Sequence, residues 1–317
     1  MKKDIVFLIN RSEITAGTRG ASLGPEAIIT AARAQGKFIF GNYPIESIKD
    51  VNHLLDQPTT FQFAKRVDGL LEIYSQLNDK VASLLKSNKF PFVLAADHGS
   101  AGGTIAGIKS AYPEKRIGVV WIDAHADIHT PYTTPSGNMH GMPLSTALNE
   151  DNLACKTNDI SEDTKSFWTK LKEIGGIAPK VNAEDIVYLA VRDTEEQEDA
   201  IMQALNIRNY KVNEIREKGV EQVMSEIEIK LANCDLIYVS FDVDSMDPIY
   251  TSHGTGTPVD NGLFPNEAEG ILTSLAANEK TVCIEFVEVN PCLDEKTNKM
   301  AEVTLEVMEA VLHTLNK

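Results

Sequence analysis

Six apolar runs punctuate the chain: Ile5 to Ile9, Phe92 to Ala96, Ile117 to Ile122, Ile186 to Val191, Leu236 to Phe241 and Val282 to Val287. Each is short, rich in β-branched and aromatic residues, and followed by a polar turn, which predicts buried strands. Between them the apolar positions recur three and four residues apart. Over 61–85, Val67, Leu70, Leu71, Tyr74, Leu77, Val81 and Leu84 predict a long amphipathic helix. Further helices are expected after Pro25 and over 104–112, 165–174, 212–231, 265–275 and 301–315. Alternation of strand and helix implies an α/β fold with a mainly parallel sheet covered on both faces. The 317 residues contain no linker, internal repeat or low-complexity stretch, so one domain over 1–317 is expected.

Polar residues break this pattern at the strand ends. The run to Ile122 continues into Asp123-Ala124-His125-Ala126-Asp127-Ile128-His129. If the strand carried on, Asp123, His125 and Asp127 would share one face with only alanines between them. The run to Ala96 delivers Asp97-His98, the run to Phe241 delivers Asp242-Val243-Asp244, and the run to Val287 delivers Glu288-Val289-Asn290-Pro291. Open α/β sheets bind ligands beyond the carboxyl ends of their strands. A capped strand end with solvated carboxylates is the bland alternative for any one of these, but not for four in one chain. His98, Asp123, His125, Asp127, Asp242 and Asp244 offer nitrogen and oxygen ligands and no thiolate, which suits Mn, Fe, Co or Zn. Six such groups are more than one ion needs. A metal pair lowers the pKa of water for attack near neutral pH, so the chemistry indicated is metal-assisted hydrolysis. Glu288 and His140 remain to orient a substrate or move protons.

Two loops carry further polar groups. Residues 130–142 hold Thr134, Ser136, Asn138 and His140, suited to a substrate rim or to an ordinary polar turn. After Arg192, the acids Glu195 and Glu198 either cap the next helix, the default for acids in a first turn, or reach a cationic ligand. The glycines after His98 fit neither GxGxxG nor GxxxxGK[ST], which excludes a nucleotide loop on those patterns. Thirty basic against 46 acidic residues give a net charge of −16. That disfavours nucleic acid and anionic membrane surfaces and favours a cationic ligand. Four cysteines without a CxxC spacing, no signal peptide and no apolar run near 18 residues lead to an expected cytoplasmic location.

Four motifs in this order resemble the ureohydrolase (arginase–agmatinase) family: the Asp97-His98 turn, Asp123-Ala124-His125-Ala126-Asp127, Ser240-Phe241-Asp242-Val243-Asp244-Ser245-Met246-Asp247-Pro248, and Glu288-Val289-Asn290-Pro291. The resemblance implies a three-layer α/β/α domain in which the six listed residues bind two Mn(2+), with Co(2+) a possible substitute. It also implies a metal-bridging hydroxide that attacks a guanidinium carbon and releases urea. Ser136-Gly137-Asn138-Met139-His140-Gly141 resembles the arginase branch. On that match Ser136, with Thr134 and Asn138, meets the substrate's α-carboxylate, and Glu195 and Glu198 meet its α-amine. His140 moves protons or positions substrate, Asp127 also accepts from the hydroxide, and Glu288 pairs with the guanidinium. The implied reaction is hydrolysis of L-arginine to L-ornithine and urea; agmatinase, another guanidino-acid ureohydrolase, or a non-catalytic guanidino-ligand-binding regulator are the alternatives. A homo-oligomer, possibly a trimer, is implied as well. The chain departs from the family pattern in Ala95-Ala96 before Asp97, in Gly99 after His98, and in His129 where asparagine is usual for carboxylate recognition. Those departures focus on the amino-acid end of the substrate.

Overall fold

In the computed structural model, which describes residues 2–317, the apolar runs form strands β1 (Ile5–Asn10), β3 (Phe90–Ala95), β4 (Ile117–Ile122), β5 (Ile186–Leu189), β7 (Leu236–Asp242) and β8 (Thr281–Val287). Two short edge strands join them, β2 (Ile45–Ser47) and β6 (Arg208–Tyr210). All eight pair in parallel in the order β2-β1-β3-β8-β7-β4-β5-β6. Every residue of β1, β3 and β4 is buried. That is why they read as continuous apolar runs rather than alternating ones.

Among the described residues, ten α-helices cover the sheet. One face packs on α1 (Gly24–Ala34), α7 (Val212–Lys218), α8 (Val220–Lys230), α9 (Pro265–Ala277) and α10 (Lys299–Leu315), around Phe7, Phe92, Phe241 and Phe286. The other packs on α2 (Val67–Lys86), α3 (Ala101–Ala111), α4 (Pro143–Leu148), α5 (Glu162–Lys172) and α6 (Glu196–Ala204), around Val93, Trp121, Tyr188 and Tyr238. The result is the three-layer α/β/α arrangement expected.

Two helices differ from expectation. The one expected from residue 61 begins at Val67, because Arg66 adopts a left-handed conformation (φ 59°) that no α-helix continues through. The stretch over 212–231 is two helices, broken at Gly219 (φ 80°). The glycines after His98 also find their reason. Gly102 and Gly103 lie inside α3, and a Cβ on Gly102 would stand 2.2 Å from the Tyr74 hydroxyl of α2. They admit a neighbouring helix, consistent with the rejected nucleotide loop.

The four strands that carry ligand-type residues, β3, β8, β7 and β4, are consecutive in the sheet, with β5 next to β4. Chain order 3, 8, 7, 4 thus brings sequence-distant polar ends to one edge.

Candidate active site

The floor of the site is built by the turns that end β4 and β7. β4 stops at Ile122, so the shared strand face expected for Asp123, His125 and Asp127 does not form. A turn does the same work. Asp123 Oδ1 accepts the His125 N–H at 2.7 Å, and Asp242 Oδ1 accepts the Asp244 N–H at 2.9 Å. A carboxylate bonded to the backbone two residues on folds both side chains toward one point, which explains the repeated spacing of two. Asp127 at φ 49° and Glu288 at φ 68° occupy left-handed conformations, which aspartate tolerates and glutamate disfavours. Such strain persists where surrounding structure enforces it, and it clusters at functional sites.

His98 Nδ1 lies 2.9 Å from Asp123 Oδ2, 3.1 Å from Asp127 Oδ2 and 3.2 Å from Asp242 Oδ2, yet it has no hydrogen-bond partner of acceptable geometry. His125 Nδ1 lies 3.1 Å from Asp244 Oδ2 and 3.5 Å from Asp123 Oδ1. Two groups able to hold a metal ion result, His98–Asp123–Asp127 and Asp123–His125–Asp244, sharing Asp123. Electrostatics point the same way. Burial, then the neighbouring Asp123, pushes Asp127 up to about 6. Burial, then Asp244 and Asp123, raises Asp242 well above the usual carboxylate range. Burial also opposes ionisation of Asp123, but the adjacent imidazoles of His125 and His98 outweigh it and hold that carboxyl low. A buried set of acids that retains protons to relieve mutual repulsion is a set that divalent cations would satisfy. The orphaned Nδ1 and the all-nitrogen-and-oxygen donor set fit a metal of the Mn, Co or Zn kind.

Two floor residues escaped sequence reading. Ser240 Oγ sits 2.7 Å from His98 Nε2, and Trp121 stacks on the His98 ring at 4.0 Å and 4° while donating from Nε1 to Asp123 Oδ2 at 3.0 Å. With Nε2 engaged by Ser240, Nδ1 is the ring nitrogen that faces the carboxylates. Each stands two residues before a ligand-type aspartate, Trp121 before Asp123 and Ser240 before Asp242.

Above the floor, the cleft encloses about 220 Å³, and no lysine or arginine lines it. All the residues singled out from sequence line it except Asp123 and Glu288, which lie beneath. Glu288 accepts the His98 N–H at 2.9 Å and stands 4.0 Å from His140 Nδ1. Burial raises its pKa well above the usual range. Burial, then the charges of His125 and His98, takes His140 down to about 4, which leaves its ring neutral. On the rim, Thr134 Oγ1 accepts the Gly137 N–H at 3.0 Å, and Ser136 Oγ accepts the Asn138 N–H at 3.1 Å.

Glu195 and Glu198 do both things the sequence allowed. They form a capping box at the start of α6 and also line the cleft. His129 is held at both ring nitrogens, Nε2 by Glu195 at 3.0 Å and Nδ1 by Thr133 Oγ1 at 3.1 Å. It therefore serves Glu195 in this structure and has no nitrogen left to donate to a carboxylate. Asp193, 3.6 Å from His125 Nε2, and Thr257, bonded to Asp244 at 3.2 Å, complete the wall and were not singled out from sequence. Asp193 directly follows Arg192, two residues before Glu195 in the same acidic stretch. Thr257 belongs to a compact loop with no signal of its own.

Comparison with known proteins agrees with this geometry. The model of the Arginase family matches residues 3–313. An arginase of Brevibacillus brevis is 33% identical over 313 residues, 98% of either chain. The crystal structure of arginase from Bacillus caldovelox superposes with a TM-score of 0.80 at 31% identity, covering 98% of both chains. Formimidoylglutamase of Bacillus subtilis, at 19% identity and TM-score 0.74 over 99% of this chain and 87% of its own, shares the fold alone. With whole-length similarity and a metal-competent strand-end cluster together, the chain belongs to the arginase family.

Proposed function

We propose that this arginase-family hydrolase converts L-arginine to L-ornithine and urea, with two manganese ions held by His98, Asp123, His125, Asp127, Asp242 and Asp244, and that residues 1–317 act as one domain. The observation that supports this most is the division of a single cleft. Its floor is acidic and metal-competent, while its mouth offers both hydroxyl and amide groups, Thr134, Ser136 and Asn138, and carboxyls, Glu195 and Glu198. A guanidino group at the floor would leave an α-carboxylate and an α-ammonium facing groups of opposite character.

Bound at the floor, a pair of divalent ions supplies a water of lowered pKa and neutralises charge that develops on the substrate. The chain's own groups do the rest. Hydrolysis adds one water oxygen to the guanidinium carbon, breaks its bond to the side-chain nitrogen and delivers a proton there. Asp127, at the inner end of the cleft, orients the attacking oxygen by accepting its hydrogen. Glu288 holds the guanidinium against rotation. His140, neutral and facing the cleft, carries the proton to the departing amine. The buried strand ends beneath keep bulk water from competing with these contacts.

One observation favours a different guanidino substrate: His129 occupies Glu195, an acceptor intended for the α-ammonium. A urea-release panel decides. With manganese-loaded protein, arginine should exceed agmatine by at least about 10²-fold in kcat/KM, roughly 2.7 kcal/mol of differential binding. Agmatine matching arginine would leave a ureohydrolase of another substrate.

A further inference from the structure

The rim of the cleft is held from behind by the segment that precedes α2. Lys65 donates its backbone N–H to Gly137 O at 2.8 Å and its ammonium to Asn138 Oδ1 at 3.1 Å. Gly137 sits at φ 78°, and a Cβ there would stand 2.1 Å from Gln62 O, so the two segments touch backbone to backbone. Lys65 is half-buried and lies outside the cleft wall.

An ammonium only donates, so its contact fixes which end of the Asn138 amide faces it. Oδ1 is turned to Lys65, and Nδ2 is turned the other way, toward Gly17, where a Cβ would stand 3.0 Å off. The NH2 group is thereby left to donate. The neighbouring hydroxyls are set alike. Thr134 Oγ1 and Ser136 Oγ each already accept a backbone N–H, which leaves their own protons free. All three rim groups thus keep a hydrogen to donate, in a cleft whose wall otherwise carries acids and, among the described residues, no basic side chain other than histidine.

We infer that Lys65 is a specificity-determining positioning residue: by locking the Asn138 amide as a donor, and by bringing the one ammonium bonded to this rim, it makes the mouth of the cleft select a substrate carboxylate. This rests on the guanidino amino-acid reading above. An Asn138 amide released from Lys65 is free to flip and present its oxygen, which repels a carboxylate. The effect belongs to substrates bearing that group and to no other.

The test is steady-state urea release by the manganese-loaded full chain, as wild type, Lys65→Met, Lys65→Arg and Asn138→Asp, with L-arginine, 4-guanidinobutyrate and agmatine. Lys65→Met is expected to raise KM about tenfold for the two carboxylate substrates, with kcat and the agmatine KM moving less than about twofold. Lys65→Arg restores the wild-type pattern, and Asn138→Asp, which keeps the shape but replaces donor by acceptor, reproduces the selective loss. If wild type prefers arginine and Lys65→Met leaves KM unchanged, or raises it equally for all three substrates, the inference is overturned and the arginine reading stands. If wild type turns over agmatine as well as arginine, the arginine reading itself falls and takes this inference with it.

Discussion

The floor and the mouth of the cleft are built on different principles. Floor residues leave the ends of three strands, β3, β4 and β7, are buried except for the half-buried His125, and are fixed by backbone turns, by Trp121 and by Ser240. Mouth residues sit on loops and a helix start, range from buried (His129, Thr134, Glu198) to exposed (Ser136, Glu195), and are fixed by side chains: Asn138 by Lys65, His129 by Glu195, Glu195 by Glu198. A chemistry common to a family can rest on the sheet, whose geometry tolerates little change. Substrate choice can rest on loops, where one side chain alters a hydrogen-bond pattern without disturbing the core. The two halves should therefore fail separately.

The largest failure should come from the floor. Asp242→Ala or Asp127→Ala removes a ligand-type carboxylate, and each should lower urea release by more than the roughly 10–100-fold typical of losing an outer partner. Metal content by elemental analysis should fall with it; retention of both metal and activity would remove that aspartate from the floor. Glu288→Gln comes next. It should lower kcat while manganese content stays at the wild-type level, and a parallel loss of metal would mean that Glu288 helps hold the metal. His140→Asn should likewise keep its metal and lose rate, with partial recovery on adding imidazole if the ring carries a proton.

Ser240→Ala sharpens the division more gently. By freeing the His98 ring to turn, it should weaken manganese binding about 10–100-fold in a titration, without changing the arginine-to-agmatine preference. A change in that preference would show that floor and mouth are coupled. The smallest effect lies outside both halves. The Lys180 ammonium is buried, donates to Lys172 O at 2.6 Å, and is lowered by burial to about 8 from 10.5. Between those pH values the unfolded chain still holds a proton that the folded chain has released, so this group makes stability rise with pH there, and its penalty is greatest below about pH 8. Lys180→Met should flatten that rise in denaturant unfolding and leave selectivity untouched.

Legibility from sequence follows the same division. The strands and the six candidate ligands could be read because buried parallel strands are continuous apolar runs and their ends are abruptly polar. The convergence of Asp123, His125 and Asp127 was anticipated for the wrong reason: the strand had already ended, and turns bring the groups together. At the mouth, composition showed which groups were present and not which bonds they make. Nothing in the sequence places Lys65 against Asn138, since the periodic pattern carried the helix through residue 65 and hid a loop. His129 was visible as a departure, but its engagement by Glu195 depends on how α6 begins. Trp121 and Ser240 read as strand residues and nothing more, because packing against a histidine leaves no mark in a pattern of apolar positions.

The division of the cleft into a metal-holding floor and a metal-free mouth is tested most directly by counting ions. His129, Glu195 and Glu198 bring three ligand-type atoms within 4.8 Å of one another, so the mouth has the donors for an ion of its own. The measurement is manganese per folded chain by native mass spectrometry after loading and removal of excess metal. The account predicts two ions in the wild type, and still two in Glu195→Gln. Fewer than one would contradict the floor, and a third ion lost in Glu195→Gln would contradict the mouth.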